Sequence, residues 1–459
     1  MMPDLAKEKI EENQIEYNLN SCFDEYGRVF KYNNNFFRGI YDHSVSVVED
    51  YFSSGLMGRL TKEKIIPETR ISDYYSENFP LILAHETITP VLYPSEWTFD
   101  MLKKASLMTL RLMEILLEYG YVLKDAHYWN ILYKDNEPVW CDITSFKKAN
   151  KIPYHTFLEF VTHQFQIVEL FALSPDLGRE RLARRMDFGM SYNFIYKYGI
   201  LRKGYCFQRA EKCRRILEKI AVSGNKRYYK KIIEWFAARL SALELSSGST
   251  QWRDYQSGFR DKHKQIVINS ENARLFKIAD LLRKYKISAS LELGGNQGVF
   301  SQILLESGQV ISAFCSDFDE SAVNTLYKIV RDNEDARGSL YPIYYDFMNE
   351  AYDEYNVNHL VNRLKNDVVV ALAMTHHLIL SQHINMDIMF ERLAGLTTRY
   401  IVVEFMPLGL WGGGDDMPLV PDWYNVDTFK KCMAKQFNIL ESHVLEKNRI
   451  VFIGEKNSK

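Results

Sequence analysis

The chain has 459 residues, 57 basic against 59 acidic side chains, a formal charge of −2 and 46% hydrophobic residues. That length predicts two to three domains with cores of ordinary size, and the balanced charge excludes the basic footprint of a general nucleic-acid binder. The polar opening MMPDLAKEKIEENQIEYNLN lacks the apolar segment of a signal peptide, no apolar run approaches the roughly 20 residues of a spanning helix, and six scattered cysteines form no CxxC pair, so the expectation is a cytoplasmic protein with reduced thiols and no membrane span.

Residues 28–60 alternate in strand-like fashion around RVFKYNNNFFRGIY. Residues 98–119, TFDMLKKASLMTLRLMEILLEY, recur apolar at helical spacing, with Thr98 as N-cap and Gly120 at the stop. The next stretch is YVLKDAHYWNILYKDNEPVWCDITSF, residues 121–146. Asp125 and Asn130 stand five apart, the spacing of the base and the metal-binding Asn in a phosphotransferase loop. Asp142 closes PVWCD, where a Mg²⁺-binding Asp follows a strand.

The pattern Asp-x-His-x-x-Asn…Asp resembles the aminoglycoside and choline kinase-like group. That resemblance implies an α+β kinase-like domain and a nucleotide/Mg site at Asp125, Asn130 and Asp142, with Mg-ATP as its ligand. Other parts of such a site are missing. Only Gly27 stands where a glycine-rich loop is needed, Lys31 is a weak phosphate anchor, and Ile-Thr-Ser rather than Phe-Gly follows Asp142. The favoured reading is therefore a polar framework that binds a partner or presents an acceptor. A simpler alternative has Asp125 and Asn130 pinning a turn.

Residues 155–245 read as helical, including the basic stretch RAEKCRRILEKIAV. ALELSSGSTQWRDYQSG, residues 242–258, breaks the pattern and marks a boundary. The domains expected are 1–245, kinase-like with a helical extension, and 246–459. In the second, the apolar strands SASLELG, VISAFCSD, VVVALAM and RYIVVEF alternate with helices, which predicts a doubly wound, mostly parallel α/β sheet.

SLELGGNQGVFSQILLESG is a strand, a glycine loop and a helix start, with the motif Glu292-x-Gly294-x-x-x-Gly298. The spacing is not the GxGxxG of dinucleotide binders. The next strand ends in Asp317, placed to accept hydrogen bonds from ribose hydroxyls, and the one after it in Asp346-Phe347, placed at an adenine amino group and ring.

LELGGNQGVFS, Asp317 and YDF together resemble class I S-adenosylmethionine-dependent methyltransferases. ALAMTHHL and RYIVVEFMP narrow the likeness to methyltransferases related to rhizobial nodulation proteins, which carry a similar upstream LKDAxxxN…DxxSF segment. The resemblance covers about residues 250–459 and implies a Rossmann-like seven-stranded domain. It implies S-adenosyl-L-methionine as cofactor, with Glu292, Gly294, Asn296, Gly298, Asp317, Asp346 and Phe347 around it. Its first expected activity is O-methylation of a saccharide or small polar metabolite. A bifunctional kinase/methyltransferase acting on a surface polysaccharide, and a non-catalytic cofactor-binding regulator, are the alternatives.

His376 and His377 end the fourth strand on the ligand-binding rim, and one of them is expected to act as general base. Glu404 ends the fifth strand and is expected to orient that histidine or the acceptor. His376, His377 and His383 lack a carboxylate at ligand spacing, so no metal is expected there. PLGLWGGGDDMP, residues 407–418, reads as a lid or a long connection.

Overall fold

The computed structural model describes residues 8–18, 21–149, 153–183, 226–246, 252, 255–262, 264–348, 359–411 and 418–458. The stretch RAEKCRRILEKIAV, with Cys213, and Cys206 lie outside the described residues, as do 412–417 of the glycine-rich loop. The chain divides into two compact units, one of residues 1–95 and 101–246, the other of 96–100 and 247–459.

The first unit holds a five-stranded antiparallel sheet in the order Glu16–Tyr17, Gly27–Tyr32, Asn35–Ile40, Leu81–His85, Thr69–Ile71. The central hairpin turns through Asn33 and Asn34, both at positive φ (47° and 62°), the mirror-image turn that matches strand twist. Phe30 stacks between Phe37 and Phe79, at 5.8 and 6.0 Å, over a core that includes Ile10 and Ile82.

The strand-like expectation for 28–60 holds only to Ile40, because Val45–Ser53 and Leu56–Lys62 are helices. Val48 and Tyr51, three apart, are buried on one face, so the helical period decides. Helix Phe99–Glu118 ends beside Gly120, whose φ of 80° suits a left-handed stop. Farther on, the hairpin Ile131–Lys134 with Glu137–Trp140 sets Asn130 just before it and Asp142 just after.

The second unit is built on seven strands: β1 (Ala289–Leu293), β2 (Ser312–Asp317), β3 (Leu340–Tyr344), β4 (Asn366–Ala371), β5 (Thr397–Phe405), β6 (Phe437–Glu446) and β7 (Arg449–Lys456). They lie in the order β3-β2-β1-β4-β5-β7-β6. The first five are parallel, and β7 runs antiparallel to both of its neighbours. Val368, Val369 and Val370 are all wholly buried, the run of apolar residues expected of a strand covered on both faces.

Helices α1 (Ala273–Leu282), α2 (Val299–Glu306), α3 (Glu320–Arg331), α4 (Met386–Leu396) and α5 (Val426–Ala434) complete the layers. Leu275, Ile278, Val299, Ile303, Leu326 and Val330, from α1 to α3, share one core cluster with Val368 and Val370. The strand order reverses between β1 and β4, so the loops after these two strands flank a crevice at the carboxyl edge.

One buried charge network ties this unit together. Glu404, wholly buried near the end of β5, binds Arg274 of α1 at 3.1 Å and Arg449 of β7 at 2.7 Å. Replacing Glu404 by Ala would leave two guanidinium groups with less counter-charge in the interior. Glu404→Ala is expected to lower unfolding free energy by about 3–5 kcal/mol in urea titration. An unchanged midpoint would show that the network contributes nothing to stability.

Candidate functional site

The glycine loop leaves β1 over buried carboxylates. Ser301 of α2 donates its N–H, at 3.0 Å, and its hydroxyl to Glu292 Oε2, so this side chain fixes the start of the helix. A Cβ on Gly295 would meet Cys315 Sγ at 2.5 Å and Glu292 Cδ at 2.9 Å, so the loop must pass this point without a side chain. Burial pushes the Glu292 carboxyl up to about 7. Glu292 thus braces the loop and the start of α2 from beneath.

Asp317 ends β2 and is 6% exposed. Its two oxygens accept from Asn296 N at 2.8 Å and Asp319 N at 2.9 Å. Burial pushes its pKa up to about 6, against the lowering effect of these backbone donors. Asn296 takes a left-handed φ of 54° and gives its Nδ2 to Trp252 O at 2.7 Å. Its Oδ1 is buried without a partner, as are Asp319 Oδ2 and His376 Nδ1. Such orphaned acceptors beside a glycine loop fit a ligand that brings donors or positive charge.

Across the crevice, β4 leads through Ala373 to a turn that starts at Thr375 and His376. The rings of His376 and His377 lie 4.1 Å apart, and Trp252 meets His377 edge to face at 4.9 Å. Burial, aided by His377 and Arg449, drives His376 down to about 3. Burial also lowers His377, which is the more exposed of the two. Both rings are accordingly neutral at pH 7.

The hydrogen-bond partners of Glu404 are other groups than the two histidines. Besides the two arginines, its Oε2 accepts Ala373 N at 2.8 Å, and its backbone carbonyl takes the Thr375 hydroxyl at 2.6 Å. The residue therefore holds the turn that carries the histidines. Asp346 and Phe347 follow β3, and the Phe347 carbonyl accepts Arg392 Nη1 at 3.1 Å.

Trp252 and Gln256 fall inside the stretch that composition marks as a boundary. Gln256 Oε1 accepts from Gln297 N at 3.1 Å and Val299 N at 3.3 Å, and Arg260 binds Gln297 O at 3.1 Å. The one signal available beforehand was a tryptophan and aromatic neighbours amid small polar residues. The glycine loop, Asp317 and the histidine turn thus form one site within the second unit, with Trp252 and Gln256 on top of it.

In the first unit, Asn130 and Asp142 line a cavity of about 310 Å³ together with Asp24, Arg38, His85 and Trp129. Asp125 is not among its lining residues. Arg38 is 5% exposed and sits between Asp24 (2.6 Å) and Asp142 (3.1 Å), while Thr144 bonds both acids. One of the expected Mg²⁺ ligands, Asp142, is thus already paired with a guanidinium, whose positive charge works against a divalent ion beside it. Among the described residues no group of three or more His, Cys, Asp or Glu could hold a metal.

No family model matches the chain. In an alignment of 458 positions that covers 92% of each protein, it is 21% identical to the nodulation protein NoeA of Rhizobium meliloti (strain 1021). Among solved structures it is similar to magnesium protoporphyrin IX methyltransferase from Synechocystis PCC 6803 with bound SAH, at 15% identity over 45% of this chain and 98% of that one, TM-score 0.32. It is also similar to the N-methyltransferase NodS from Bradyrhizobium japonicum WM9, at 13% identity over 41% and 97%, TM-score 0.29.

If Arg38 stands where a metal would, adding Mg²⁺ with or without ATP should leave the unfolding midpoint of the chain unmoved. A Mg²⁺-dependent rise that disappears in Asp142→Asn would contradict this reading of the cavity.

Proposed function

We propose that the second unit is a class I methyltransferase that uses S-adenosylmethionine to methylate a hydroxyl of a saccharide or other small polar metabolite. The observation that carries this reading is the meeting of three features at the β1/β4 reversal: the braced glycine loop, the buried Asp317 and the histidine turn. The similarity to NoeA spans 92% of both proteins and supports reading the two units as parts of one working protein.

Each Asp317 oxygen accepts one backbone bond and keeps a further lone pair for the ribose hydroxyls. Gly294, Asn296 and Gly298 shape the floor, Asp346 and Phe347 take the adenine end, and Glu292 holds the loop from beneath. When bound, S-adenosylmethionine supplies a methyl group already activated on a sulfonium.

The protein then has to orient the acceptor and take its proton. His377 is the better base, because His376 is held near 3 by burial and is a poor proton acceptor at neutral pH. Glu404 and Trp252 position the turn and the ring without taking part in proton transfer. The first unit, with Asp142 paired to Arg38, serves as a binding or acceptor-presenting framework.

The test is release of S-adenosylhomocysteine with a panel of saccharide acceptors. His377→Ala is expected to keep cofactor affinity and to lower turnover by about 10²–10⁴-fold. His376→Ala should cost much less. Full turnover in His377→Ala would remove that residue from the chemistry, and cofactor binding without turnover on any acceptor would favour a regulator.

The pH dependence follows from the same groups. Asp317 must be ionised to accept from the ribose, so cofactor affinity should weaken as pH falls through about 6. The base works only unprotonated, so turnover should also fall on the acid side, below the ordinary histidine range. Affinity that stays flat from pH 8 to pH 5 would contradict the part given to Asp317.

A further inference from the structure

A glycine loop that opens a helix is the usual receptor for a phosphate, because its free N–H groups converge and the helix dipole adds positive potential. Here two of those groups are already engaged by a side chain. Gln256, 7% exposed, places its amide oxygen on Gln297 N and Val299 N, at 3.1 and 3.3 Å. Arg260, the nearby cation, gives Nη2 to Gln297 O at 3.1 Å and Nη1 to Gln302 Oε1 at 2.6 Å, while its Nε is buried without a partner.

Four acidic or amide side chains around the loop weigh against a phosphate. Asn296 and Asp319, each 5% exposed, carry buried oxygens without a partner. Glu292 and Asp317 add two more buried carboxyls. Oxygens of this kind stabilise a donor-rich or cationic ligand and repel a phosphate.

We propose that Gln256 is a specificity-determining residue, whose amide oxygen closes the α2 N-terminus to phosphate and restricts the site to adenosyl ligands without one. The inference rests on the methyltransferase reading for the identity of the ligand, but the closure is a property of the loop alone. A neutral amide satisfies the two N–H groups without a net charge, so it competes with an incoming anion while leaving the cationic sulfonium end unopposed. Truncating the side chain withdraws the amide oxygen from both N–H groups.

The experiment is displacement calorimetry on the full chain in EDTA, with adenosine and with ADP competing for bound S-adenosylmethionine. Competition confines the readout to this site, whatever the first unit binds. In the native chain ADP should compete at least about tenfold less well than adenosine, since two donor bonds to a charged group are withheld from it. Gln256→Ala and Gln256→Ser should narrow that ratio about tenfold while S-adenosylmethionine still binds, and Gln256→Glu should keep the ratio wide.

An equal ratio in the native chain and in both truncations overturns the proposal. So does loss of S-adenosylmethionine binding in all three variants together with a lowered unfolding midpoint, which would make Gln256 a structural pin. If the native chain does not bind S-adenosylmethionine, the methyltransferase reading falls by itself, and direct titration with adenosine and ADP still reads the ratio that decides the part of Gln256.

Discussion

Asp317 is a carboxylate almost wholly removed from water, and the loop that makes the candidate site exists because of what that carboxylate needs. A buried carboxyl without donors costs several kcal/mol, on the order of 2–7 for even a neutral polar group, so the chain must bring N–H groups to it. Asn296 and Asp319 do so from two different loops, one after β1 and one after β2. The left-handed φ of Asn296 and the missing side chain at Gly295 follow from this arrangement. Glu292 repeats the pattern one strand away, with Ser301 as donor. The loop is therefore held by hydrogen bonds from within the chain on both of its sides.

A second buried acid does the same for the opposite wall. Glu404 spends its charge on Arg274 and Arg449 and still accepts from Ala373, so the turn after β4 is fixed by the core of the sheet. The two histidines differ because of where this leaves them. His376 is packed against the interior with an unpartnered nitrogen, whereas His377 faces Trp252 and remains partly open. Base strength follows from burial rather than from position in the doublet.

How much of this could be read from residues alone depended on whether the signal was local. The strand–glycine loop–helix of residues 289–306 and the acids at strand ends were legible, because turn chemistry and apolar runs are sequence-local. The partners of Glu404 lie 130 and 45 residues away in the chain, so nothing in RYIVVEFMP announces that its carboxylate is already taken. The same holds for Arg38, which pairs with Asp142 from a strand 104 positions earlier and puts a cation beside a metal-like motif. Trp252 and Gln256 were hidden for the opposite reason. They sit in a stretch whose small and polar composition marks a boundary, and only their hydrogen bonds show that these two residues reach the loop.

The central claim is that the loop after β1 and the turn after β4 together receive an adenosyl ligand. Hydrogen–deuterium exchange of the full chain, with and without S-adenosylmethionine, reads both segments at once. The account predicts slowed exchange at residues 294–299, at 374–377 and around Trp252, with no change in the strands of the first unit. No protection on saturating cofactor, or protection confined to the first unit, would contradict it.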